Sequence, residues 1–332
     1  MRRILVAATV LVASACSAPH DAGAGAGSAP ATPVQSQSAS MSASPTTPRE
    51  PPRLVVSTEP WRLPFPVARE AVVPDSGRFV VAGGLIAGDQ STSQVFTLDP
   101  ATGHTRPAAP LGVPVHDTAG VSLHGRAVVI GGGNATEQNV VQTRTGGRWS
   151  TTGQLPRPRS DLTAVVVGRQ ALVLGGYDGS AVAVSSVLAT RDGAHWRTVG
   201  RLPVPVRYAA GVARGHAVWL FGGERAGLMQ TAVQRVDASG RARLVARLPR
   251  PLGHASALTL GGRILLVGGR TSSSSLTDRM WWFHPGSRSF TVAGRLPTPL
   301  ADSAVGSDGD TAYLLGGETP SLSRQVVRLA IR

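Results

Sequence analysis

Polar and apolar positions change over in short bursts along this chain, and no stretch holds a helical period long enough to build a helix. Apolar runs recur instead, each closed by glycines. They are Phe79-Val80-Val81-Ala82-Gly83-Gly84, Val128-Val129-Ile130-Gly131-Gly132-Gly133, Leu172-Val173-Leu174-Gly175-Gly176, Val218-Trp219-Leu220-Phe221-Gly222-Gly223, Ile264-Leu265-Leu266-Val267-Gly268-Gly269 and Tyr313-Leu314-Leu315-Gly316-Gly317. With the second doublet read as Gly132-Gly133, the first glycines stand 49, 43, 47, 46 and 48 residues apart. A second mark runs with them. Leu63-Pro64-Phe65-Pro66, Leu155-Pro156-Arg157-Pro158, Leu202-Pro203-Val204-Pro205, Leu248-Pro249-Arg250-Pro251 and Leu296-Pro297-Thr298-Pro299 are copies, and Leu111-Gly112-Val113-Pro114 is a worn sixth. From leucine to leucine the steps are 48, 44, 47, 46 and 48. Two prolines in four residues cannot lie inside a central strand, so each copy marks a loop. A small-residue strand, a polar turn, the apolar strand with its glycines and two further strands then fill each repeat. The pattern predicts an all-β array of six units, each a four-stranded antiparallel sheet.

The phase also predicts how the array closes. From Leu296 to the last residue, counting both, there are only 37 residues, short of a full repeat of about 47. Leu54-Val55-Val56-Ser57 precedes Leu63 much as Phe290-Thr291-Val292 precedes Leu296. Residues 53–58 are therefore expected to supply the outer strand of the last unit, beside Gln325–Ile331, pairing an edge that would otherwise stay open. The glycine-terminated runs, the Leu-Pro-x-Pro turns, Arg159-Ser160 after one of them, and Trp149 and Trp196 six residues before their leucines together resemble the kelch repeat. The resemblance covers nearly all of 53–332 and implies a six-bladed kelch-type β-propeller. The tryptophan position is Thr105, Ala242, Phe290 and Ser57 in the other repeats, which departs from the family pattern.

Charge and composition add constraints. The formal net charge is +14, and all 33 basic residues are arginine. These arginines are scattered, with no run longer than two and few aromatics between them, so the footprint of a nucleic-acid binder is missing. Met1-Arg2-Arg3 followed by apolar Ile4–Val12 reads as an export signal too short to span a bilayer. Ala13-Ser14-Ala15-Cys16 resembles a bacterial lipobox and also reads as an A-x-A cleavage site; both cuts fall before Cys16. Cys16 is the only cysteine, so it has no internal disulfide partner, and an acyl acceptor explains its place most simply. The expected layout is a lipoprotein signal over 1–15, a disordered Ala/Ser/Gly/Pro-rich tether over 16–52 and the propeller over 53–332. A flexible coil of that length reaches about 35 Å, and the propeller is expected to be monomeric, lipid-anchored at Cys16 on the outer face of a bacterial membrane.

Candidate chemistry follows from the repeat. Six residues beyond each leucine stand Arg69, Asp117, Asp161, Tyr208, His254 and Asp302, a polar ring at the mouth of the central channel. Two residues further every copy is small: Ala71, Ala119, Thr163, Ala210, Ser256 and Ala304. Period-two spacing predicts both sets on one face of each inner strand. A second ring follows the glycines: Leu85, Asn134, Tyr177, Glu224, Arg270 and Glu318. Glu224 with Arg225, and Arg270 with Glu318, are candidate ligand contacts. Arg69 between Asp117 and Asp302 also fits a set of ion pairs that plug the channel. The carboxylates and His254 have no metal-ligand spacing, so no metal and no cofactor is expected. The chain shows no nucleophile elbow, P-loop or dinucleotide fingerprint. Copper radical oxidases on kelch propellers need a cysteine cross-linked to tyrosine, which a lone Cys16 excludes. The expected function is a binding module for a protein, an envelope polymer or a small extracellular ligand. The alternative is an acid–base carbohydrate enzyme similar to the bacterial sialic-acid mutarotases, with Tyr208, His254, Glu224 and Arg270 as its candidate groups.

Overall fold

The computed structural model describes residues 53–180 and 182–332. The expectations for the signal segment, Cys16 and the tether lie outside these residues. The described residues form six four-stranded antiparallel sheets arranged as the blades of a propeller. Blade 1 consists of Ala71–Asp75, Arg78–Ala82, Val95–Leu98 and Thr105–Ala108. Blades 2 to 5 repeat that order, with inner strands Ala119–Leu123, Thr163–Val167, Ala210–Arg214 and Ser256–Leu260. Blade 6 holds Ala304–Asp308, Thr311–Leu315 and Val326–Ile331, and takes its outer strand from Leu54–Thr58. Leu54 pairs with Ile331 and Thr58 with Val327, the closure expected from the phase of the repeat. At its far end the backbone of Arg53 donates to Arg332 (2.8 Å) and accepts from it (3.0 Å).

The second strands read as continuous apolar runs because both of their faces are covered. Val218 and Leu220 pack against blade 3, while Trp219 and Phe221, on the opposite face, pack against blade 5. Period-two geometry thus feeds two cores from one run. Each of the six apolar clusters straddles one junction between neighbouring blades, so the core is a ring of interfaces.

The glycine doublets work at those junctions. In every blade the second glycine donates its N–H to a carbonyl in the loop of the next blade: Gly84 to Val115, Gly132 to Arg159, Gly176 to Val206, Gly223 to Leu252, Gly269 to Leu300 and Gly317 to Val67. The first glycine lies flat against the same carbonyl; a Cβ on Gly175 would stand 2.2 Å from the Val206 oxygen. In blade 2 this pair is Gly131-Gly132, not Gly132-Gly133 as the sequence suggested, with φ near +59° and +111° as in the other doublets. In that phase the glycine steps become 48, 44, 47, 46 and 48, identical to those of the leucines.

Buried glutamines hold two of the Leu-x-x-Pro loops. Fully buried Gln142 accepts from Val113 N–H (2.9 Å) and donates to its carbonyl (3.0 Å), and Gln234 does the same for Val204. Both sit beside the bulges of their strands.

Candidate functional site

The loop from each Leu-x-x-Pro turn climbs to one end of the central channel and reverses there before the inner strand descends. The reversal falls on Arg69, Asp117, Asp161, Tyr208, His254 and Asp302, all left-handed with φ between 51° and 60°. Residues with a Cβ pay about 1–2 kcal/mol for that conformation, which glycine adopts freely. The chain nonetheless carries a polar or charged side chain at all six places. Five of the six neighbouring pairs are joined by backbone bonds, from Arg69 N–H to Asp302 O round to Asp161 N–H to Asp117 O, each 2.9 or 3.0 Å. The six side chains surround a cavity of about 150 Å³.

The floor differs from expectation. Each inner strand begins two residues after the ring residue, so the period-two relation does not reach across the reversal. The residues that line the cavity beneath the ring are the ones immediately after it: Glu70, Thr118, Leu162, Ala209, Ala255 and Ser303, with Ala304 alone from the small-residue set.

Charges are interlocked across all six blades. Arg69 reaches Asp117 (3.3 Å), Asp302 (3.6 Å) and Glu318 (3.0 Å). Arg270 contacts Asp302 (3.4 Å) and Glu318. Arg207 binds Asp161 (3.3 Å) and Glu224 (2.5 Å), and lies over the rings of Tyr177 and Tyr208. His254 sits between two carboxylates, with Nδ1 2.7 Å from Asp302 and Nε2 3.5 Å from Glu224. Its ring stacks on Tyr208 at 3.9 Å, and the Tyr208 hydroxyl donates to Asp117.

These contacts set the protonation states. Burial alone would lower His254, but the bonds to Asp302 and Glu224 outweigh it and hold the imidazole up to about 8, doubly protonated at neutral pH. The hydrogen bond from His254, against some burial and with help from Arg207, draws Glu224 down to about 2. Asp302 is also lowered, since His254, Arg69 and Arg270 overcome its burial. Asp117 and Asp161 move the other way: burial raises both despite Arg69 and Arg207. Burial, with Asp117 and Asp161 nearby, keeps the Tyr208 phenol protonated. The site therefore offers fixed cations, fixed anions and two carboxyls poised nearer neutrality.

The six residues of the first ring meet Glu224, Arg270 and Glu318 of the second in this one network. Asn134 does not join it: the strand phase of blade 2 puts Gly133 at the ring position, and the Asn134 side chain turns to the Pro114 carbonyl. Glu224 pairs with Arg207 and His254, not with Arg225. Three members were missed. Arg207 and His116 each precede a ring residue and bridge to the position after the glycines; His116 contacts Ser91 (2.7 Å) and Asp117 (3.3 Å). Glu70 is the third, 4% exposed with neither carboxyl oxygen hydrogen-bonded. Among the described residues no group of three or more metal-ligating side chains is disposed around an ion.

A match to the Kelch motif family covers residues 251–297, the stretch from the blade 5 loop to the loop of blade 6. The fold is a kelch-type propeller. No curated protein matches the sequence significantly. Among solved structures, one titled "Structure of YjhT" superposes on the kelch-type ring with a TM-score of 0.69 at 16% identity, covering 82% of this chain and 99% of that one. In all, 678 solved chains match, so the likeness speaks for the architecture and leaves the chemistry to the site itself.

Proposed function

We propose that this propeller binds a small, hydroxyl-rich extracellular ligand in its axial cavity. The observation that carries the reading is the ring of six polar side chains held in left-handed backbone around one cavity of about 150 Å³. Strain of this kind collects where side-chain placement matters more than local stability. Paired guanidinium forks, carboxylates and a phenol present donors and acceptors side by side, the mixture that vicinal hydroxyls match. A protein or an envelope polymer would insert one residue or one sugar unit into the same cavity. The test is a calorimetric screen of residues 53–332 against neutral and acidic monosaccharides and their oligomers. Binding that disappears in Glu224→Gln and Arg69→Gln, with melting temperature retained, supports the reading; no saccharide binding at all overturns it.

The second reading is acid–base catalysis on a sugar, of the mutarotase kind. It is favoured by His254 at about 8 and by the raised carboxyls of Asp117 and Asp161, which bracket neutral pH. Exchange between anomers, followed by NMR in the same screen, separates the two. Accelerated exchange lost in His254→Gln supports catalysis, and binding without exchange leaves a binding module.

Export and lipid anchoring at Cys16 belong to the same proposal, from the signal-like N-terminus and the lone cysteine. Metabolic labelling with a radioactive fatty acid should be lost in Cys16→Ser; unlabelled wild-type protein would refute the anchor.

A further inference from the structure

Away from the axis, the Leu-Pro-Arg-Pro loop of blade 3 and the start of its third strand enclose a second cleft of about 370 Å³. Arg157, Arg159 and Arg201 line it together with Ser185 and Ser186, against a single carboxylate, Asp178. Arg159 is 4% exposed. Its guanidinium donates to the Gly175 carbonyl (3.2 Å), the Ser186 carbonyl (3.2 Å) and Ser186 Oγ (2.7 Å), all neutral acceptors. Its Nε–H is buried with no acceptor, and no carboxylate is paired with Arg159 among the described residues. Asp178 accepts from the Ser180 N–H (3.1 Å) and hydroxyl (2.5 Å). Arg201 donates to Ser185 Oγ (3.2 Å).

A buried guanidinium without a counter-charge is expensive, and neutral hydrogen bonds offset only part of its lost hydration. Burial accordingly draws Arg159 down to about 10, with Asp178 opposing. Two more arginines converge on the same hollow, and hydroxyls stand beside them. Planar forks flanked by hydroxyl donors suit the oxygens of a carboxylate or phosphate. Here we infer that the blade 3 cleft is an anion site, which takes the carboxylate or phosphate group of a ligand between Arg157, Arg159 and Arg201. Ala183 lines both this cleft and the neighbouring depression that holds Tyr177, Arg207 and Glu224. The inference stands on the cleft alone and does not need the axial reading.

The experiment is calorimetric titration of the full chain with inorganic phosphate and, separately, with glucuronate, in low-chloride buffer. Saturable binding of either anion is expected, with Arg157→Gln and Arg201→Gln each weakening it about tenfold and the double variant abolishing it. Arg159→Lys keeps the charge and loses the fork, so it should weaken binding while the unfolding midpoint reports whether the blade stays intact. Preference for phosphate marks a tetrahedral oxyanion and preference for glucuronate a carboxylate; both support the site. The inference fails if neither anion binds saturably, or if affinity survives the Arg157→Gln, Arg201→Gln double variant. It also fails if affinity is lost in Arg270→Gln alone, which would put the anion at the axis.

Discussion

Glu70 stands beside the cavity as a carboxylic acid with no hydrogen-bond partner, and burial pushes it up to about 8 from an ordinary 4.5. A folded-state value above the unfolded one means that folding takes up a proton. The stability that goes with it is complete below about 4.5 and is lost as pH rises through about 8. Glu70→Gln keeps the shape without the charge. Chemical denaturation should show the variant equal to wild type at pH 4 and more stable at pH 8.5; equal stability at both values would mean that the carboxyl is ionised in a compensated site. The ring residues beside Glu70 were legible in sequence because each loop from leucine to reversal has the same length. Arg207, His116 and Glu70 were not. The period-two rule of a strand does not hold through residues that are left-handed, where the backbone reverses at the rim.

Among the elements, the apolar strand with its glycine doublet carries most of the inter-blade geometry. Gly175→Ala would force a Cβ to within 2.2 Å of the Val206 oxygen at φ +61° and disturb the bond that Gly176 makes to it. The expected loss is about 2–5 kcal/mol. Gly146→Ala makes the fair control, since its φ is +57° and nothing lies within 4 Å of the added carbon; it should cost only about 1–2 kcal/mol. Comparable losses in urea melts would show that conformation, not the inter-blade approach, selects glycine. The doublets were readable because an apolar run buried on both faces admits no polar interruption. Blade 2 misled because three glycines stand in a row, and the leucine spacing, 48 and 44 residues around it, held the information needed to choose. The glutamine clamps left no trace: Gln142 and Gln234 act through loops 29 and 30 residues away.

For the molecule as a whole, stability depends on the closing strand. Without Leu54–Thr58 the edge of Val326–Ile331 would lose its partner, and Leu54 and Val56 would leave the cluster between blades 5 and 6. Deletion of 53–60 should lower the melting temperature by many degrees or prevent folding, whereas deletion of 20–50 should leave it within a degree or two. Equal effects would refute the closure as the source of stability. This closure was visible in the sequence because a repeat that ends early must be completed from elsewhere. The axial network was visible only in part. Ion pairs of Arg69 with Asp117 and Asp302 follow from neighbouring blades, but the carboxylate–imidazole–carboxylate clamp of Glu224, His254 and Asp302 joins two loop families whose heights above the ring no spacing encodes.

The backbone pairing of Arg53 with Arg332 gives the propeller a pole of its own. Inner strands leave the cavity downward, second strands return, and Val326–Ile331 descends again, so Arg53 and Arg332, the two ends of the propeller, lie on the face opposite the mouth. A bead, surface or fusion partner attached at Arg53 or Arg332 then grips the propeller by its base. The mouth of the propeller is left open on the other side, and a short linker from 332 back to 53 would make the propeller over 53–332 circular without touching it.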